Sequence, residues 1–153
     1  MARREESQQS VAQLGSFLKV NMKALSVRQP WAELILSGAK NLELRTWSTR
    51  YRGTILIHAS KTIENEVILK AGLDPSILAR GALVGVAEVR GCRIFIREDA
   101  ENLRMKGAFF GEWIPELYAW ELGAVRRITP IPCVGALGLF EVPAEIMGLC
   151  GRL

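Results

Sequence analysis

Gly38-Ala39-Lys40-Asn41-Leu42-Glu43-Leu44-Arg45 is the stretch on which the reading of this chain turns. Trp31, Leu34 and Ile35 before it, with Ala39 inside it, recur at helical spacing and make one buried stripe. After it the period becomes two, with Leu42 and Leu44 on one side of an extended segment and Glu43, Arg45 and Trp47 on the other. Gly38 stands at the change and is read as the helix terminator, since glycine adopts the left-handed conformation that other residues resist. Glu43 and Arg45 then leave the same strand face, and Lys40 sits just before them where the chain turns. A lysine, a carboxylate and a guanidinium converge on one mouth. The carboxylate keeps the cations ordered, and the cations suit a phosphate or a polarised carbonyl.

Working outward, Lys23–Val27 reads as a first strand, and Arg28-Gln29-Pro30 hands over to the helix because proline fits the first helical turn. Tyr51-Arg52-Gly53 makes a turn into the β-branched run Thr54–Ala59, a central strand. Residues 62–71 suit a helix with Thr62 as its cap and Glu64 and Glu66 in the first turn, and Asp74-Pro75 starts a short helical turn. Ala82–Ile96 is strand-like but interrupted by Gly85 and Gly91, which predicts a bulge or hairpin. Residues 97–106 form a surface turn or short helix. Tyr118–Ile128 and Cys133–Val142 read as two more strands, separated by Pro130 and Pro132. The sum is an α+β chain with a mixed, mostly antiparallel sheet of about six strands and two or three helices, closing into a β-barrel. Residues 1–21 are expected to be a flexible N-terminal extension, 22–143 one domain, and 144–153 a C-terminal tail.

The chain has 153 residues, the size of one ordinary domain, and its 49% hydrophobic and 24% charged content is that of a soluble globular protein. No apolar run approaches the roughly 20 residues of a membrane-spanning helix, and no apolar signal core follows Arg3 and Arg4. A cytoplasmic location without membrane attachment is expected. Cys92, Cys133 and Cys150 are far apart and odd in number, which suits reduced thiols and neither a disulfide framework nor a zinc site. With a single histidine, His58, no metal site and no cofactor is implied. The formal charge of +4 is unevenly spread: residues 23–61 hold seven Lys/Arg against Glu33 and Glu43, a net +5, whereas residues 62–142 hold nine basic against eleven acidic residues, a net −2. The positive charge is thus concentrated around the central stretch.

Gly38-x-Lys40-x-x-Glu43-x-Arg45 resembles the G-x-K-x-x-E-x-R signature of the ASCH (activating signal cointegrator homology) domain family. The flanks are similar in order too: Ser26-Val27-Arg28-Gln29-Pro30-Trp31-Ala32, Trp47, Tyr51-Arg52-Gly53 with the strand to His58-Ala59-Ser60, Tyr118-Ala119-Trp120-Glu121-Leu122, and Pro130 to Gly135. The resemblance implies a PUA-like β-barrel, a fold used for RNA recognition, with the signature in a cleft facing nucleic acid or nucleoside. The implied partner is RNA, another single-stranded nucleic acid, or a modified nucleoside; oligomeric state stays open. Arg28, Lys40, Arg45, Arg50 and Arg52 are then candidate phosphate contacts, and Trp47 and Tyr51 candidate stacking platforms. Trp31 and Trp120 read as core.

The alternative implied by the resemblance is a small metal-free hydrolase acting on a modified nucleoside, of the acetylcytidine-type amidohydrolase, or on RNA phosphodiesters. Those amidohydrolases use a lysine, a threonine and a glutamate. The matching positions are Lys40, Glu43 in place of the threonine, and Glu88. The natural nucleophile is therefore missing, and an enzyme would have to use Glu43 or Glu88 as general base on water, with Lys40 or Arg45 holding the oxyanion.

Overall fold

The computed structural model describes residues 21–149. The expected N-terminal extension, apart from Asn21, and the end of the C-terminal tail with Cys150 lie outside the described residues. Six strands, β1 (Lys23–Gln29), β2 (Leu42–Arg45), β3 (Gly53–Ile63), β4 (Ala82–Ile94), β5 (Tyr118–Pro132) and β6 (Leu139–Glu141), form one sheet in the order β2-β5-β4-β3-β1-β6. β1 and β3 are parallel and the other neighbours antiparallel. Among the described residues there are four short α-helices, α1 (Trp31–Leu36), α2 (Asn65–Lys70), α3 (Arg97–Met105) and α4 (Ala144–Leu149), and a 3-10 turn at Pro75–Ile77.

The expected closure into a barrel is not made. β2 and β6 stand at the two ends of the order, and no ladder joins them among the described residues. Among these residues β2 is laddered to β5 alone and β6 to β1 alone. β6 covers only Lys23–Leu25 of β1, so the ladder stops just before Ser26. The Ser26 carbonyl accepts instead from Arg45 Nη2 of β2. A side chain spans the seam where a ladder would have closed it.

Inside the sheet the sequence logic holds. Ile55, Ile57 and Ala59 of β3 face one apolar cluster with Leu25, Val27, Ile35 and Trp120, while Leu56 faces another with Ala24, Leu83 and Ile131. A strand buried on both faces is what a continuous β-branched run signals. β4 shifts register between Leu83 and Gly85 and again between Val89 and Gly91, the two glycine positions read as bulges. α1 packs against β1, β3 and β5. Buried Gln29 ties down its start, accepting from Glu33 N at 3.0 Å and donating to Ala79 O at 3.0 Å. Gly38 follows at φ +83° with its N–H on Ile35 O, so the chain reverses into β2 as expected.

Two boundaries differ from expectation. Thr62 is no helix cap: β3 runs on to Ile63, which pairs with Gln29, and α2 starts only after Glu64. β5 runs past the expected end at Ile128 through Pro130 to Pro132, and the strand expected over Cys133–Val142 is confined to Leu139–Glu141. β2 covers only Tyr118–Glu121 of β5, so the distal half of β5 has a free edge. Along that edge a proline costs no ladder bond.

Candidate functional site

A cleft of about 750 Å³ opens at the seam. One wall comes from β1 and β3 (Ser26, Arg28, Ser60, Thr62), the other from β2 and its approach (Lys40, Glu43, Arg45, Thr46, Trp47), with Trp31 and Phe109 adding aromatic surface. The loop between β5 and β6 contributes Ala136 and the exposed Leu137 to its rim. Its size lies within the range of roughly 300–1,000 Å³ usual for small-ligand sites.

The three signature side chains meet here. Lys40 Nζ donates to Glu43 Oε2 at 2.9 Å, and Arg45 Nε stands 3.5 Å from Glu43 Oε1. Lys40 is 4% exposed and Glu43 6%. The ammonium also lies 5.8 Å from the Trp31 ring centroid. A buried ion pair of this kind fixes geometry, because neither charge tolerates losing its partner in a dry setting. Lys40 therefore acts first on Glu43, as a group that positions it. Arg45 Nε is buried without a hydrogen bond of good geometry, and the same guanidinium bonds the Ser26 carbonyl through Nη2.

Of the remaining sequence-derived candidates, Arg28 and Trp47 reach the cleft. Arg28 is exposed and paired with Glu64 Oε1 at 2.9 Å. Trp47 is 37% exposed and meets Trp120 edge-on, centroids 4.8 Å apart at 89°. Arg50, Tyr51 and Arg52 do not line it. Tyr51 packs on the main core with its hydroxyl donating to Thr54 O at 2.6 Å, and Arg52 is turned onto the carbonyls of Thr49 and Tyr51. Nor is Glu88 brought to Lys40. It lines a separate concavity with Thr54, Ala124 and Arg126, with Arg90 Nε at 3.8 Å.

Trp120 is core, as read from the sequence, but Trp31 is not wholly so: it also lines the cleft. Ser26 and His58 were not singled out as site residues. They pair across the parallel β1–β3 ladder, Ser26 Oγ 2.9 Å from His58 Nδ1. Their separation of 32 residues leaves no local signal; only the register of a parallel pairing would have joined them. Beside them, burial pushes the Cys133 thiol up from its ordinary value, which keeps it protonated and unreactive near neutrality. Among the described residues no group of three His, Cys, Asp or Glu is placed to hold a metal ion, and Cys92 and Cys133 are free.

The ASCH domain family matches residues 25–132, most of the chain, and the protein belongs to that family. Among solved structures it is similar to an ASCH protein from Zymomonas mobilis, at 17% identity and a TM-score of 0.54, over 83% of this chain and 91% of that one. A point mutant of the same Zymomonas mobilis protein gives 16% identity and a TM-score of 0.56, over 84% and 94%. At such identities the likeness is one of fold. No curated protein matches the sequence. No helix among the described residues is long and apolar enough to cross a membrane.

Proposed function

We propose that the domain, residues 22–143, binds single-stranded nucleic acid, RNA foremost, in the seam cleft. The observation that carries this is the juxtaposition in one concavity of an exposed tryptophan face and two guanidiniums: Trp47 with Arg28 and Arg45. Aromatic faces stack bases of any identity while cations follow the backbone. Lys40 supports the site from behind by holding Glu43, and Arg50, Tyr51 and Arg52 fall outside the contact set. The hydrolytic reading through Lys40, Glu43 and Glu88 has less support, because Glu88 belongs to another concavity.

With two phosphate contacts, at Arg28 and Arg45, the logarithm of affinity falls with that of salt at about −0.7 per contact, or roughly 25-fold across a tenfold salt increase. Fluorescence anisotropy with a labelled oligouridylate between 20 and 200 mM salt measures it. Arg28→Ala lowers the slope by about one contact. Binding that is flat across this range, or equal for Arg28→Ala, refutes the phosphate-contact reading.

A further inference from the structure

The single histidine of this chain is buried at 2% exposure and fully engaged. His58 Nε2 lies 2.7 Å from the Cys133 carbonyl oxygen and Nδ1 lies 2.9 Å from Ser26 Oγ. A carbonyl oxygen only accepts, so Nε2 carries the proton of the neutral ring. Nδ1 is then the lone-pair nitrogen, and the Ser26 hydroxyl must be its donor. Phe140 holds the imidazole edge-on, at 5.9 Å and 83°.

That is the arrangement of an activated hydroxyl: nucleophile on base, base oriented by a third group. Its place matters equally. Ser26 lines the seam cleft, and the guanidinium of Arg45 is bonded to the carbonyl of Ser26 itself. The loop after β5 passes over the pair so closely that a Cβ on Gly135 would lie 2.7 Å from Ser26 Oγ and 2.6 Å from His58 Cε1. Only glycine fits there: the loop backbone packs directly on the hydroxyl and the ring, and any side chain would push into both.

We propose that Ser26 is a nucleophile, with His58 as its general base, that takes an acyl group from a carboxylic ester bound in the cleft. This rests on the cleft being a ligand site. In the first step Ser26 Oγ bonds to the ester carbonyl carbon while its proton passes to His58 Nδ1, and the carbonyl electron pair moves onto oxygen. The cations of the cleft supply the charge that favours such an oxyanion. The tetrahedral species collapses by breaking the carbon–oxygen bond to the alcohol, which departs with the proton from Nδ1. In the second step water gives a proton to Nδ1 and attacks the acyl carbon, and Ser26 Oγ leaves and recovers that proton, releasing the carboxylic acid. Throughout, the Cys133 carbonyl accepts from Nε2–H and steadies the imidazolium.

A fluorophosphonate probe tests the nucleophile without any knowledge of the natural ester. Ser26 Oγ forms the phosphorus–oxygen bond, fluoride leaves, and the serine proton goes to His58. Peptide mapping by mass spectrometry should find one adduct, on Ser26, absent in Ser26→Ala, at least tenfold slower in His58→Gln, and unchanged in Ser76→Ala, whose serine lies in the 3-10 turn outside the cleft. In case His58→Gln fails to fold, a second measurement uses thiols: Ser26→Cys should react with iodoacetamide at least tenfold faster than Ser60→Cys. An unlabelled Ser26, equal labelling of Ser60, or equal alkylation of the two cysteines overturns the proposal. Labelling of Ser26 in protein that shows no oligouridylate binding supports the nucleophile and removes only the RNA reading. Oligouridylate binding without labelling does the reverse.

Discussion

Replacing Lys40 by methionine keeps the aliphatic stem and removes the ammonium that donates to Glu43 at 2.9 Å. Glu43, 6% exposed, would then rely on Arg45 Nε at 3.5 Å. Removing one member of a buried ion pair costs about 3–5 kcal/mol when the survivor is left alone. Arg45 remains nearby, which brings the expected loss for Lys40→Met to about 2–3 kcal/mol. Urea unfolding followed by tryptophan fluorescence reads this as a midpoint lowered by about 1–2 M at unchanged slope. The double variant Lys40→Met/Glu43→Gln leaves no carboxylate buried and should recover about half the loss. The coupling between the two positions is then that recovery, about 1–1.5 kcal/mol, plus whatever Glu43→Gln costs alone. A single variant within about 0.5 kcal/mol of the parent, or a double variant less stable than either single one, would refute the description of this pair as buried and mutually dependent. It also follows that Lys40→Ala is a poor probe of ligand contact, since the fold itself responds to it.

Three further outcomes are expected. Gly85→Ala would place a Cβ 2.3 Å from Leu36 Cδ2 and 2.7 Å from the backbone oxygen of Arg126, so thermal unfolding should register a loss of about 1–3 kcal/mol; parental stability would show that α1 can shift off β4. The two hydrogen bonds from the Arg93 guanidinium, aided by the Ile96 N–H and opposed by burial, hold the Asp99 carboxyl below the usual carboxylate range. Its folded value being depressed, the pair stabilises above the unfolded value of about 3.9 and is lost as pH falls through the folded one. Asp99→Asn should therefore be less stable than the parent at pH 7, by a gap that narrows on acidification; a gap constant with pH would exclude the ion pair as its source. Trp47→Ala should weaken oligouridylate binding by about 1–3 kcal/mol in the anisotropy assay if a base stacks there, and equal affinity would remove Trp47 from the site.

What was legible in the sequence was local. The change of period at Gly38 placed the helix end, and the two-residue spacing of Glu43 and Arg45 put them on one side, where both now line the cleft. Gly85 and Gly91 marked real irregularities because a missing side chain in a strand is a local fact. What was not legible depended on which strand lies beside which. Pro130 and Pro132 look like a break until it is known that β2 stops short and leaves their edge of β5 unpaired. Glu88 looks like a partner for Lys40 until the ladders, pairing it with Thr54 and Gly123, carry it to another concavity. The Ser26–His58 pair appears only with the parallel register of β1 and β3. Closure of the barrel was illegible for a similar reason, since it turned on what lies beside the two strands at the ends of the order.

The shortness of β2 has a dynamic consequence. Its four residues are laddered on one side only, to β5, while their other side is joined to β1 through the Arg45 side chain. β3, β4 and β1 each have neighbours on both sides. Local opening draws on the segments with fewest ordered backbone bonds, so β2 is where the molecule should breathe before its centre does. Amide protons of Leu42–Arg45 should exchange ahead of those of β3 and β4 in native-state hydrogen exchange. The proposed contact Arg45 thus rides on an edge strand, and a bound molecule bridging Arg28 and Arg45 would act as the staple that the backbone itself does not provide.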